Sequence, residues 1–502
     1  MTAAHTIPRQ DLVPNTAAYE QLPLVKATGF REYDARWLFE KELNLQGVQL
    51  VGLALGTLLH QRKVPPRVVT GHDFRGYSAS IKMALITGLL ASGCEVHDIG
   101  MCLTPMAYFA QFALDVPAVA MVTASHNDNG WTGIKMGMNR PLTFGPDEML
   151  ALKALVMEGR VERRPGGQLV QASNFFETYL NDLLKAGPLN RRLKVAAVCG
   201  NGTAGAFAPE ALRRLGCDVV EVDCGLDHRF PHYNPNPEDL EMLEAMAKAV
   251  KTHGADVAFG FDGDGDRCGV VDNEGNTIFA DKIGLMLARD IAALEQNAVF
   301  VVDVKSTGLY KTDPVLAALG ARVDYFKTGH SYIKQRTTEL GAAAGFEKSG
   351  HFFFRPPYGN GYDDGVVSAI SICRMLDRAK DKSLADLARA LPTSYSTPTM
   401  SPHCDDEKKY GVVDAITETV RSMAARGEAV DGQAIIDVNT VNGVRFTFAD
   451  GSWGLIRASS NKPELVTVCE SMTSEKQMRR IFAFIETLLA VHPAVGAFNQ
   501  KI

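Results

Sequence analysis

The chain has 502 residues, 46% hydrophobic and 22% charged, with a formal net charge of −6. This is an ordinary soluble composition on a length too great for one core, so several domains are expected. The acidic balance argues against a nucleic-acid footprint, and no run approaches the ~18 consecutive apolar residues of a membrane helix, so neither nucleic acid nor membrane is an expected partner.

The first residues, MTAAHTIPRQDLVPN, lack the basic and then apolar segments of a secretory signal. The nine scattered cysteines include no CxxC pair, which fits reduced thiols in a cytoplasmic protein. An internal repeat follows. RVVTGHDFRGYSASIKMALITGLLASGCEV, ending at Val96, runs from an apolar strand through a polar loop and a helix to a Gly-led turn and a second strand. KVAAVCGNGTAGAFAPEALRRLGCDV, ending at Val219, and VFVVDVKSTGLYKTDPVLAALGARV, ending at Val323, repeat the plan. Each reads as a βαβ unit whose strands should be parallel and whose crossover should be right-handed. The expected domains are three α/β domains over 1–168, 169–277 and 278–393, with mostly parallel mixed sheets.

Residues 394–502 differ. KKYGVVDAITETVRSMAARG is an amphipathic helix pattern with Val412, Ile416 and Val420 on one face. AIIDVNT, GVRFTFAD, GSWGLIRAS and ELVTVCES then read as antiparallel strands, with Asp450-Gly451 as a hairpin turn. A final helix over SEKQMRRIFAFIETLLAVH completes an α+β domain.

Two loops carry chemistry on their own residues. In MVTASHNDNGWTGIKMG, a short strand, Ala118 to Val122, breaks at Thr-Ala-Ser-His-Asn. A serine at the carboxyl end of such a strand sits where open α/β sheets bind ligands, although the same residues also suit a plain turn. In GFDGDGDRCGVVD, Asp262, Asp264 and Asp266 alternate with glycines after the strand DVAFGF. Three carboxylates so close repel one another, and a hard divalent cation resolves the repulsion; a solvated acidic turn is the alternative. The sixth and twelfth positions counted from Asp262 are Arg267 and Asn273, which excludes an EF-hand. GNGTAG at 200–205 resembles a phosphate loop only loosely and is assigned to domain packing.

TASHN, GFDGDGDR, EKSGH and RASSNKP, in this order, resemble the α-D-phosphohexomutase superfamily, in particular its bacterial phosphomannomutase/phosphoglucomutase branch. The resemblance covers nearly the whole chain from GFREYDAR at 29–36, and implies four domains around a central cleft. It implies that Ser125 is carried as a phosphoserine, with Mg²⁺ held by Asp262, Asp264, Asp266 and the phosphate on Ser125. His126 and Lys135 would flank that phosphate, Arg267 would add a further cation, and Tyr33 and Arg36 would border it. Tyr33 also reads as a core residue.

Lys305 and His330, in DVKSTGLY and YFKTGHSYIK, would lie beside the reacting hydroxyl. Strand-end solvation reads equally well for Lys305 taken alone. The general acid/base stays open among Lys135, Lys305 and His330. Glu347, Ser349 and His351 would contact sugar hydroxyls; the family form Gly-Glu-Met-Ser-Gly-His differs here at Phe346 and Lys348, which bears on sugar preference. In RASSNKP, Arg457 offers a bidentate fork, Ser459, Ser460 and Asn461 offer hydrogen bonds, and the backbone can form an anion nest. A β-turn with chance polar residues is the alternative.

The implied activity interconverts hexose 1-phosphate and hexose 6-phosphate, of mannose or glucose, through a sugar 1,6-bisphosphate that also serves as activator. The expected partners are hexose phosphates, and the expected assembly a monomer or small homo-oligomer. The alternatives are a phosphoglucosamine mutase, a metal-dependent phosphatase, and a non-catalytic sugar-phosphate-binding protein. The intact Ser125, aspartates and Lys135 argue against the last.

Overall fold

The computed structural model of the protein describes residues 7–172, 174–460 and 462–501. The chain divides into two compact units, Met1–Ala280 with Ser349–Ala385, and Asp281–Lys348 with Asp386–Ile502.

The first unit holds two sheets. One contains β1 (Ala35–Leu38), β2 (Arg67–His72), β3 (Glu95–Met101), β4 (Ala118–Val122), β5 (Trp131–Gly137) and β6 (Gln168–Gln171), in the order β1-β5-β4-β2-β3-β6. The first repeat is the expected unit: β2 and β3 are parallel and the helix Ser78–Ala91 links them. β4 is parallel to β2 but antiparallel to β5, so the sheet is mixed. The TASHN stretch makes this reversal, since antiparallel neighbours need only a short loop where parallel ones need a crossover. The helices Leu45–Gln61 and Ser78–Ala91 meet through glycine. A Cβ at Gly52 would fall 2.3 Å from the Leu85 carbonyl oxygen, and one at Gly88 would fall 2.0 Å from that of Gln49. Only hydrogen fits there, which allows the close approach.

The second sheet contains β7 (Lys194–Val198), β8 (Asp218–Val222), β9 (Val257–Phe261), β10 (Cys268–Asp272) and β11 (Thr277–Ile278), in the order β11-β10-β9-β7-β8. β7 is parallel to both β8 and β9, and β10 returns antiparallel to β9. Asp262, Asp264 and Asp266 occupy the β9–β10 turn. GNGTAG packs as expected, because Thr203 accepts a hydrogen bond from the Phe74 amide (3.0 Å) and donates its own amide to the Gly263 carbonyl (3.2 Å).

The segment from Ser349 to Ala385 completes this unit with the helix Gly365–Arg378. Asp364 caps that helix, accepting from the amides of Val366 (2.9 Å) and Val367 (3.0 Å), and also accepts from the Tyr179 hydroxyl (2.7 Å). Burial pushes its carboxyl up to about 7, and the hydrogen bonds only partly offset that. The folded value exceeds the unfolded one, so this contribution is full below about pH 4 and is lost as pH rises through 7. Asp364→Asn keeps an acceptor for the cap and removes the titration. Thermal melts from pH 5 to 8.5 should show the variant gaining on the wild type as pH rises, by up to a few kcal/mol at about 1.4 kcal/mol per pH unit. Parallel curves would contradict this.

In the second unit the strand Val299–Asp303 is flanked by Arg322–Phe326 and Ala344–Phe346, both parallel. The crossover of the third repeat departs from the single helix expected. It is two short helices, Leu309–Thr312 and Pro314–Ala318, broken at Asp313-Pro314 because the residue before a proline avoids helical geometry. Asp313 recaps the second helix through the amides of Val315 and Leu316, each at 3.0 Å.

The C-terminal sheet is antiparallel throughout, in the order Tyr395–Ser396, Leu465–Ser471, Trp453–Ala458, Val444–Phe448, Gln433–Asn439, Ala429–Val430. The hairpin expected at Asp450-Gly451 is present, with Gly451 at φ +84°. Helices Lys409–Ala425 and Glu475–Ala490 bury Val412, Ile416, Val420, Ile481 and Ile485 within one core with the strands.

A buried polar network ties this sheet to the third repeat. Glu470 accepts from Ser394, Thr307, Trp453 and the Gly308 amide, at 2.6, 2.7, 2.7 and 2.8 Å. Arg445 stacks on Trp453 at 3.7 Å and donates to the carbonyls of Val304 (2.7 Å) and Ser306 (2.8 Å).

Candidate active site

β4 ends where its apolar run meets Thr123, and the chain turns at Ser125, whose φ of +52° is left-handed. A residue with a Cβ adopts that conformation only when its surroundings hold it there. The Ser125 hydroxyl is buried, donating to Asp262 Oδ2 at 3.0 Å and lying 3.2 Å from Nδ1 of His126. The sheet of β1–β6 thus delivers a serine to the acidic turn of the β7–β11 sheet.

Asp262, Asp264 and Asp266 are fully buried, with ligand oxygens within 4.8 Å of one another. Lys135, on β5, donates to Asp264 Oδ2 at 2.8 Å and also to Asp266, and Thr104 donates to Asp264 at 2.6 Å. Burial, reinforced by Asp266 and Asp264, pushes the Asp262 carboxyl well above the ordinary range. Burial and then Asp264 raise Asp266 likewise. Burial acts to raise Asp264 too, but the charge and hydrogen bond of Lys135 and the Thr104 hydroxyl bring it below its usual value. For Lys135, burial works against the charge, and Asp264 and Asp266 outweigh it.

Lys135 thus pairs with two of the three carboxylates, and Arg267 is the cation beside the third. Asp264 Oδ1 and Asp266 Oδ1 have no hydrogen-bond partner among the described residues. An all-oxygen donor set with residual negative charge and unsatisfied buried oxygens fits a hard divalent cation.

Arg267 lies 3.7 Å from Asp262 Oδ2 and 3.4 Å from Glu238, and its Nε donates to Nε2 of His351 at 2.9 Å. Nδ1 of the same imidazole lies 2.9 Å from Asp363 and 3.6 Å from Asp266. Arg36 sits under the serine loop, donating to the Thr123 carbonyl at 3.0 Å and pairing with Asp34 at 3.0 Å. A Cβ at Gly133, opposite Arg36 on β5, would fall 2.4 Å from the guanidinium, so glycine there makes room for it. Tyr33 is buried, and Ser349 is 8% exposed.

The structure therefore brings Ser125, His126, Lys135, Arg36, Arg267, His351 and the three aspartates together within one unit. Asp73, Arg75, Thr104 and Asp363 belong to the same surroundings and were not singled out in the sequence. For the first two a signal existed, an Asp-Phe-Arg at the carboxyl end of a repeat strand. For Thr104 and Asp363 there was none, since each acts on a distant partner.

The second unit carries the other predicted residues. Glu347 Oε1 accepts from the amide of Gly329 at 2.5 Å, which ties EKSGH to the start of the helix His330–Leu340. His330 and Lys305 are buried at 5% exposure each, and the Lys305 ammonium has no ion pair or hydrogen bond among the described residues. Phe346 packs against Phe300 and Tyr310. Lys348 is buried 3.3 Å from Asp281 and 3.2 Å from the Ser396 hydroxyl. Both departures from the family motif therefore serve the interior of this unit.

Arg457 is buried, donates to the Ala458 carbonyl at 2.7 Å, and leaves Nε without a partner among the described residues. Ser459 accepts from the Lys462 amide at 3.2 Å, Ser460 is buried, and Asn461 lies outside the described residues. Among the described residues no helix is long and apolar enough to cross a membrane.

Comparison with known proteins covers the same ground. Four family models match in series: phosphoglucomutase/phosphomannomutase alpha/beta/alpha domain I over residues 27–162, domain II over 177–275, domain III over 279–395, and the C-terminal domain over 404–488. A phosphomannomutase/phosphoglucomutase of Pseudomonas putida is 34% identical over 92% of this chain and 96% of its own. A phosphoglucomutase of Neisseria gonorrhoeae is 31% identical over 91% of this chain and 96% of its own. The crystal structure of a phosphoglucomutase/phosphomannomutase family protein from Burkholderia thailandensis, 29% identical, superposes with a TM-score of 0.83 over 94% of this chain and 99% of that one. The chain belongs to the phosphoglucomutase/phosphomannomutase family, and its activity is that of a phosphohexomutase.

Proposed function

We propose that Ser125 is the residue that gives and takes the phosphoryl group, on glucose and mannose phosphates alike. The observation that carries this is the Ser125 hydroxyl, held in a left-handed turn 3.0 Å from Asp262 at the edge of a buried, undercompensated aspartate triad. Asp262, Asp264 and Asp266 would hold Mg²⁺, which when bound neutralises charge on a phosphoryl group. Lys135 bridges Asp264 and Asp266, and its charge favours the ionised form of Asp264. His126, beside Oγ, is placed to share its proton. Arg36 holds the loop from its strand side, and Arg267 with His351 borders the triad.

Glu347, Ser349 and His351 are assigned to sugar hydroxyls, Tyr33 and His330 to the substrate's surroundings, and Arg457, Ser459, Ser460 and Asn461 to the phosphate that is not being transferred. Lys305, buried and without an ion pair among the described residues, is assigned to the reacting hydroxyl together with His330. Phosphoserine 125 transfers to the free hydroxyl at C1 or C6, giving a sugar 1,6-bisphosphate. The bisphosphate turns end for end, and its other phosphate returns to Ser125. The isomeric monophosphate leaves.

Two orientations of one sugar must therefore fit the same contacts. The hydroxyls at C3 and C4 lie near the flip axis, and the one at C2 does not. Glucose and mannose differ only at C2, where a single hydrogen bond is worth ~1 kcal/mol, so their kcat/KM values should agree within roughly tenfold. Galactose 1-phosphate, inverted at C4, should be much poorer. All three are to be assayed under the same magnesium and bisphosphate concentrations. Galactose turnover equal to glucose, or a mannose-over-glucose preference beyond about a hundredfold, would refute the assignment of Glu347 and Ser349.

A further inference from the structure

The loop GHDFRG, at the end of β2, reaches under the serine turn of β4 and holds both sides of Ser125. Arg75 is 5% exposed, and one of its nitrogens, Nη2, donates to the carbonyl oxygens of Ser125 at 2.8 Å and of Asn127 at 2.6 Å. Its guanidinium lies 5.3 Å from the centre of the Phe230 ring, and its Nε is 3.4 Å from Asp73 Oδ2. Asp73 works on the other side. Its Oδ2 accepts from the Thr123 hydroxyl at 2.9 Å and the Ala124 amide at 3.3 Å. The Thr123 hydroxyl in turn accepts from the Ser125 amide at 2.9 Å. Oδ1 of Asp73 is fixed by the Ser78 hydroxyl at 2.5 Å and the Arg75 amide at 3.2 Å.

Ser125 is therefore bracketed, its amide tied through Thr123 to Asp73 and its carbonyl gripped by Arg75. These ties bear on the one feature of the loop that local chemistry opposes, the left-handed φ of +52°. For a residue with a Cβ that conformation costs about 1–3 kcal/mol, so an untethered serine would relax to a common conformation. Relaxation would carry Oγ away from Asp262. The carbonyl is also confined from the far side, since a Cβ at Gly263 would fall 2.5 Å from it. Arg75 acts on the loop backbone through Nη2, and Asp73 through Oδ2.

We propose that Arg75 and Asp73 are positioning residues for phosphoryl transfer: they hold Ser125 in its left-handed turn, so that the phosphoryl group faces the sugar and not water. This rests on the reading that Ser125 carries the phosphoryl group. When the turn loosens, the competing reaction is hydrolysis. Water attacks phosphorus, the bond between phosphorus and Oγ breaks, Oγ recovers a proton, and inorganic phosphate leaves.

The test compares wild type with Arg75→Met, Arg75→Lys and Asp73→Asn. It measures the folded fraction by thermal melt, Ser125 phosphorylation by peptide mass, kcat and KM for glucose 1-phosphate, and inorganic phosphate released per turnover. Per folded, phosphorylated molecule, Arg75→Met should lose kcat by roughly tenfold to a hundredfold, as for a misplacement of about 1 Å, with KM held within about threefold. Phosphate release per turnover should rise. Arg75→Lys should recover part of the loss, because an ammonium can still reach a carbonyl but lacks the guanidinium fork. If Arg75→Met does not fold, Arg75→Lys and Asp73→Asn carry the comparison.

A fall in melting temperature alone, with kcat, KM and phosphate release per folded molecule unchanged, would overturn the proposal and leave the pair a packing device. A wild type without phosphate on Ser125 would instead overturn the reading on which it rests.

Discussion

Ser125→Ala should abolish mutase turnover, by at least ~10³-fold in kcat, while leaving the fold intact. The size of the effect follows from chemistry. In the proposed reading the hydroxyl forms and breaks the bond to phosphorus, and alanine offers no oxygen there, while His126 and Asp262 remain in place beside it. Alanine keeps the Cβ and removes only the hydroxyl's contacts with Asp262 and His126, so little packing is lost at a position already 2% exposed. Binding of hexose phosphate should survive. A calorimetric Kd near that of wild type, beside a lost kcat, separates a missing nucleophile from a collapsed site. Retention of more than a tenth of wild-type kcat would contradict the assignment.

The second large effect concerns the triad. Excess chelator should abolish turnover and Mg²⁺ should restore it, because three buried carboxylates outnumber the two cations beside them, Lys135 and Arg267, and keep oxygens unsatisfied. The same cation should raise the melting temperature of the substrate-free protein. Binding to the folded state alone stabilises by about 2.7 kcal/mol at a hundred times Kd. Asp262→Asn removes one charge at similar size, and its amide oxygen still accepts one hydrogen bond. In chelator it should melt no lower than wild type, because the repulsion is relieved. In magnesium it should gain much less than wild type does. A melting temperature indifferent to Mg²⁺ in the wild type, or equal gains in both proteins, would contradict the site.

The parts of this arrangement that showed in the sequence are those written in short stretches. Asp262, Asp264 and Asp266 alternate with glycine over five residues, and the repulsion they imply is visible without coordinates. The βαβ repeats carry apolar strands and Gly-led turns close enough together to show their plan, and β2–β3, β7–β8 and the pair Val299–Asp303 with Arg322–Phe326 are parallel as expected.

What stayed hidden depends on contacts between distant positions. Thr104 reaches Asp264 across 160 residues, and Arg75 reaches the Ser125 carbonyl across 50. Neither spacing shows which partner is reached, although Asp-Phe-Arg at a strand end marks Arg75 itself as a candidate. The left-handed backbone at Ser125 was equally hidden, because serine gives no sign of it as glycine would. Lys348 misleads from the opposite direction. Lying beside Glu347 in the sequence it reads as part of the sugar loop, yet its charge is spent on Asp281 in the interior.

The most direct measurement follows phosphorus itself. Dephosphorylated protein is incubated with glucose 1,6-bisphosphate labelled in its phosphoryl groups, digested, and the labelled peptide sequenced. One label per chain should appear on the peptide containing Ser125. Unlabelled glucose 1-phosphate or glucose 6-phosphate should then remove it, giving labelled bisphosphate in place of inorganic phosphate. Label on a different residue, or equal labelling of Ser125→Ala, would contradict a phosphoserine 125 mutase.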